Sequence, residues 1–236
     1  MKNIMLLCLL AYLFGCQPNP DGNASSKNSL LNENEQQAVL LSGSALSGKA
    51  TGALSADGSA LELTISNSAV LAQAPDLLKL HASRAAWVFY KNMGTGKPGY
   101  ERLVVKVGLA DSTFQFPYSL AQLGIVEARY PAIELASQKL ITGDYDGLYA
   151  LFDPVVMGTR SAADLQNYCL QIEPEHGQPL GFEFQGFSFE KTSGGLDVLS
   201  LAGQLKRSIK DTPLNISVDL SKQGVKGSLF SIKFAY

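Results

Sequence analysis

The chain has 236 residues, 46% of them hydrophobic and 17% charged, with 19 Lys and Arg against 21 Asp and Glu. That is the composition of an ordinary folded protein, long enough for one large domain or two small ones. A formal net charge of −2 with no long basic run leaves nothing to neutralise a phosphate backbone, so nucleic acid is not an expected partner. Two His and three Cys in the whole chain exclude a zinc site built from several such ligands, and neither a metal nor another cofactor is expected.

The chain opens on Met1, Lys2 and Asn3, followed by an apolar run from Ile4 to Phe14 and then Gly15 and Cys16. As a helix that run spans only about 16 Å, short of the roughly 30 Å of bilayer hydrocarbon. A secretory signal over residues 1–15 is therefore expected rather than a permanent span. The quartet Leu13, Phe14, Gly15, Cys16 resembles the lipobox of bacterial lipoproteins. The resemblance implies cleavage before Cys16, diacylation of its thiol, acylation of the new amino group, and a cell-envelope protein anchored to a membrane. Gln17 is not the Asp that retains enteric lipoproteins in the inner membrane, which points to the outer membrane. Residues 17–29 are Pro-, Asn- and Ser-rich with almost no apolar side chain and read as a flexible tether, placed over 16–44 with a short helix at 29–41 capped by Ser29. With Cys8 removed and Cys16 acylated, Cys169 is the only free thiol. It falls in the helical stripe Leu165, Tyr168, Cys169, Ile172 and reads as a core residue.

Residues 45–122 are expected to form a small α+β domain. Gly43 to Gly58 is either a weak strand or more linker. Leu61, Leu63 and Ile65 alternate with polar residues as a half-buried strand. Pro75 and Asp76 open a helix with Leu78, Ala82, Ala85 and Phe89 on one face, closed by Gly94 and Gly96. Leu103, Val105, Val107 and Leu109 form a second strand, and after a turn beginning at Asp111 comes a third with Phe114, Phe116 and Tyr118.

A second domain is expected over residues 125–236. Ile133, Ala136, Leu140 and Ile141 mark a helix ending at Gly143. Asp144 caps another carrying Leu148, Leu151 and Phe152, stopped by Pro154. Ser161 with Asp164 is the capping box of a third. The rest is β: Phe182 and Phe184, a bulge at Gly186, Phe187 and Phe189, then Val198 to Leu205, Ile216 to Leu220, and Phe230 to Tyr236, paired as a four-stranded antiparallel meander.

Helices followed by such a meander, with Leu140 to Tyr149 and Phe152, Asp153, Pro154 as the helical opening, resemble the cystatin-like or nuclear-transport-factor-like α+β fold. The resemblance covers residues 125–236 and implies a curved sheet around a helix with a conical cavity. That fold carries enzymes as well as binding modules, so the site must decide. Asp219 and Glu183 alternate against apolar neighbours and are expected on the solvent face. Asp144 and Asp146 sit at a helix start, where capping accounts for them. His176 lies in a turn sequence and is expected to be exposed, and His81 to be a core or boundary residue. No nucleotide-binding glycine loop or nucleophile elbow is present.

The expected ligand pocket is lined by Tyr145, Tyr149, Phe152 and Tyr168 on the helices and by Phe182, Phe184, Phe187 and Phe189 on the sheet. The alternative for the aromatic residues is plain core packing. The expected function is a lipid-anchored, non-enzymatic module binding an envelope protein or a small apolar ligand. A small hydrolase or isomerase using Asp144, Tyr145, Tyr149 or His176 is the competing reading.

Overall fold

The computed structural model describes residues 31–94, 99–110 and 112–234. The expected signal sequence, Cys16, the tether as far as residue 30, Gly96, Asp111 and Tyr236 lie outside the described residues.

The first helix, α1 (Glu33–Ala45), is capped by Asn32 rather than Ser29. The Asn32 side chain accepts the Glu35 N–H and the Glu35 carboxylate accepts the Asn32 N–H, both at 2.9 Å, so two otherwise orphaned donors are satisfied reciprocally. Ala38, Val39 and Ser42 are buried, and residues 33–44 thus belong to the folded body. The stretch left open between strand and linker is the strand β1 (Lys49–Leu54), antiparallel to β2 (Ala60–Ser66). A short helix α2 (Ala69–Gln73) and a tight turn at Pro75–Leu77 lead into α3 (Leu78–Asn92). β3 (Arg102–Leu109) then pairs parallel with β2, and β4 (Ser112–Ser119) antiparallel with β3. The order β1-β2-β3-β4 makes β2, α3 and β3 a strand-helix-strand crossover. Leu61, Leu63 and Ile65 stand opposite Leu103, Val105 and Val107, and all of them are fully buried. On α3 the expected face of Leu78, Ala82, Ala85 and Phe89 is buried as well. On β4, by contrast, Phe114 is exposed and only Tyr118 is buried.

Helix α4 (Leu120–Thr142) begins directly at the end of β4, with Ser119 and Gln122 forming its capping box, and Gly143 at φ +69° closes it. It is longer than the segment expected around Ile133, and the expected division between residues 122 and 125 falls inside it. Next comes α5 (Tyr145–Tyr149), capped by Asp144 as expected. Pro154 does not merely stop that helix but opens α6 (Pro154–Met157) behind the cap Asp153. A missing N–H costs nothing at a first helical position. Ser161 and Asp164 form the expected capping box of α7 (Ala162–Leu170), and α8 (Glu173–His176) follows.

β5 (Pro179–Lys191), β6 (Asp197–Arg207), β7 (Thr212–Asp219) and β8 (Leu229–Phe234) form an open antiparallel meander in sequence order. The register shifts between Phe184 and Gly186, so the parity changes there and Phe182, Phe184, Phe187 and Phe189 all face the same side. Leu201, Ile216 and Ile232 continue the Phe187 row across the sheet. The other face is polar, with Ser188, Ser200, Ser217 and Ser231 side by side, one per strand. Helix α4 packs on β5 and β7, α3 packs on β5, and the buried apolar residues of both sheets form one continuous core. The protein is therefore α+β, with its helices between and beside two four-stranded sheets.

Candidate functional site

The strand β8 is an edge of its sheet, and its outer side carries an apolar groove. Near its start that edge is taken by the chain itself. The Leu229 N–H donates to the Leu151 carbonyl at 3.0 Å and the Asp153 N–H to the Leu229 carbonyl at 3.1 Å, a parallel bridge between Phe152 and Leu229. The segment then turns away into α6, because Asp153 accepts the Val155 N–H at 2.9 Å and Lys222 holds the same carboxylate at 2.8 Å. At the far end the Phe234 N–H reaches the Tyr168 hydroxyl at 3.5 Å. Alternate residues of a strand direct their backbone groups to the same edge; β8 has a register shift between Leu229 and Ser231, and counted back two residues from Phe234, Ile232 presents its N–H and C=O outward.

Facing this edge, α6 and α7 complete a cavity of about 330 Å³. Val156, Met157, Leu165, Tyr168 and Phe152 form one wall and Phe230 and Ile232 the other, with Arg160, Asp164 and Lys233 at the rim. Asp164 is committed to the start of α7. The backbone N–H and hydroxyl of Ser161, each 2.7 Å away, hold its carboxyl below the usual range. Among the described residues neither Arg160 nor Lys233 forms an ion pair.

Of the aromatic residues expected to line a pocket, Phe152 and Tyr168 do line this groove. Tyr149 braces its rim, donating its hydroxyl to the Arg160 carbonyl at 3.1 Å. Tyr145 lies elsewhere, beside Leu140, Leu170 and Glu173. The four Phe of β5 are occupied with packing. Phe184 meets Tyr130 edge-on at 5.9 Å, Phe187 meets Tyr118 at 5.7 Å and Phe189 meets Phe187 at 5.9 Å. The ring of Phe182 lies over Gly203, where a Cβ would come within 2.3 Å of it. Val156, Met157, Arg160, Asp164, Leu165, Phe230, Ser231, Ile232 and Lys233 also line the groove and were not among the expected pocket residues. The spacing of Leu165 and Tyr168 on α7 was the available signal for that wall, whereas nothing local marks β8 as an edge.

The groups of the enzyme reading do not converge. Asp144 accepts the Gly147 N–H at 2.9 Å and pairs with Lys139, whose hydrogen bond is the first cause of its lowered pKa. His176 is buried rather than exposed. Its Nδ1 lies 3.1 Å from the Lys210 carbonyl and 2.9 Å from the Thr212 hydroxyl. With its own carbonyl receiving the Ile209 and Lys210 N–H groups at 3.1 Å as well, His176 fastens the turn between β6 and β7. Asp219 is on the expected face but buried by its own turn, accepting the Ser221 N–H at 2.8 Å. Glu183 is held between Arg84 at 3.1 Å and Lys206 at 3.2 Å.

Among the described residues no group of three or more His, Cys, Asp or Glu is placed to hold a metal ion, and no helix is long and apolar enough to cross a membrane. No family model matches the chain, and neither a curated protein nor a solved structure matches it significantly.

Proposed function

We propose that this protein is a lipid-anchored binding module of the bacterial cell envelope, held to the outer membrane through Cys16, which takes an apolar ligand or partner segment into the groove between β8, α6 and α7. The observation that carries the binding role is the groove itself, a concave apolar site with a few polar groups converging at its rim, as small binding sites are commonly built. The anchor rests on Leu13 to Cys16 and the polar residues behind it. Two or three acyl chains hold a protein to a bilayer far more firmly than one.

Two readouts on the protein produced in a bacterium test the two halves of this reading. Labelled palmitate should enter the wild-type chain and not Cys16→Ala, and label in both refutes the anchor. Native mass spectrometry of the detergent-released protein should show an added mass that Val156→Lys loses, since a charge placed in the groove wall expels an apolar occupant. An added mass retained by that variant places the ligand elsewhere.

A further inference from the structure

We propose that the occupant of the groove is a short extended apolar peptide segment bearing a carboxylate, which adds to the outer edge of β8 as a further strand. This rests on the groove being the binding site and names what it binds.

The backbone supplies the first argument. An unpaired strand edge is a template for another main chain. This edge already accepts one, since residues 151–153 bridge to it at Leu229 before α6 carries the chain away. Immediately beyond, Ile232 presents its N–H and C=O into a cavity whose walls are apolar. A fatty chain would fill the walls and leave those two groups without partners, at the cost of burying them unsatisfied. A peptide satisfies both and places its side chains against Val156, Met157 and Leu165. The long 3.5 Å contact between Phe234 and Tyr168 marks where the incoming strand would end.

Charge supplies the second argument. Arg160 and Lys233 stand at the rim without an ion pair among the described residues, while Asp164, the acidic group beside them, is bound by Ser161. Those hydrogen bonds keep Asp164 ionised, and the Arg160 charge also acts on it, so the rim holds two positive groups against one negative and its net positive charge suits a carboxylate. A second copy of this chain fits poorly, because pairing β8 with itself brings Lys233 and Arg160 toward their own copies and the open part of the edge is short. The carboxylate has two sources, a peptide C-terminus or an Asp or Glu side chain, which the test separates.

Fluorescein-labelled hexapeptides, Ser-Gly followed by four positions drawn from Val, Ile, Leu and Phe, serve as the probe for the full-length protein in detergent. The free-acid pool should bind, and the amidated pool should bind at least tenfold more weakly. An amidated pool with Asp at the last position should recover affinity only if a side-chain carboxylate is what the rim reads. Arg160→Gln with Lys233→Gln, both at exposed positions, should remove the preference for the acid. Methylating alternate backbone nitrogens of the peptide, which leaves the protein untouched, should abolish binding, and exchange of the Ile232 amide should slow in the complex.

Equal binding of N-methylated and unmodified peptides, or an Ile232 amide that exchanges equally fast, overturns strand addition. Equal binding of every acid and amide pool overturns the carboxylate. If dodecanoate binds in a Val156→Lys-sensitive way and no peptide does, the groove remains a binding site and the peptide proposal fails. If no apolar probe binds at all, both fall.

Discussion

The backbone N–H of Phe187 donates to the hydroxyl oxygen of Ser83 at 2.7 Å, and that hydroxyl donates in turn to the Leu80 carbonyl at 2.7 Å. One buried side chain of α3 thereby satisfies the strand β5 where it resumes after its bulge. Ser83→Ala leaves the Phe187 N–H without a partner in a site closed to water, and the expected loss is about 1–3 kcal/mol. Urea unfolding should show a lower midpoint at unchanged slope. An unchanged midpoint would mean that the bulge does not depend on α3.

The same contact explains why residue 186 is Gly. Its φ is +154°, and a Cβ there would lie 2.2 Å from the Leu80 carbonyl oxygen and 2.6 Å from the Ser83 hydroxyl. A helix carbonyl cannot step aside as a flexible side chain can, so Gly186→Ala is expected to cost about 3 kcal/mol or more, with strain added to overpacking. Gly58 at φ +71° is the control, since nothing lies within 4 Å of a Cβ there and only the local cost of about 1–2 kcal/mol remains. Thermal unfolding of the two variants side by side should separate them clearly, and equal shifts would show that α3 yields.

Signals that act within a few residues were legible in the sequence. The caps Asp144 and Ser161 with Asp164, the bulge that keeps Phe182 and Phe187 on one face, and the meander all follow from local hydrogen bonding and alternation. What was not legible depends on partners distant in the chain. Gly124 and Pro131 interrupt the apolar spacing of Leu123, Val126, Ile133, Ala136 and Leu140, yet α4 continues through both because its buried stripe is held by the sheet. His176 looks like a turn residue until Thr212 closes over it. Half of the groove escaped for the same reason. Ile232 and Lys233 read as ordinary alternating strand residues, and only the sheet order makes their strand an edge.

His81 should make stability depend on pH. Burial is the first cause holding its pKa below the ordinary histidine value of about 6.5, with the Arg84 charge second, and its Nδ1 has no hydrogen-bond partner among the described residues. The unfolded chain therefore binds a proton more readily than the folded one. Stability is fully present above the unfolded pKa of about 6.5 and is lost as pH falls from there toward the folded pKa. Denaturant midpoints taken in steps from pH 7.5 to 5 should fall for the wild type and fall less for His81→Asn, measured as a difference so that other groups cancel. Parallel curves would show that His81 gains a proton as easily folded as unfolded.

Cys169 is the last test, because it bears on whether this chain carries a usable nucleophile. The residue is 3% exposed, and burial, the largest cause, pushes the thiol pKa up to about 12. Only the thiolate attacks a disulfide reagent, and a free Cys ionises near pKa 8.5, so at pH 8 the ionised fraction is lower by about a thousandfold before access is considered. In a chain beginning at Gln17, where Cys169 is the only cysteine, the native protein should not react with Ellman's reagent over an hour. In guanidinium it should react fully, and the Cys169→Ala variant should give no signal in either state. Rapid labelling of the native protein would mean that α7 opens from the sheet, and would place a reactive thiol on the same helix as Tyr168, one residue from the groove wall.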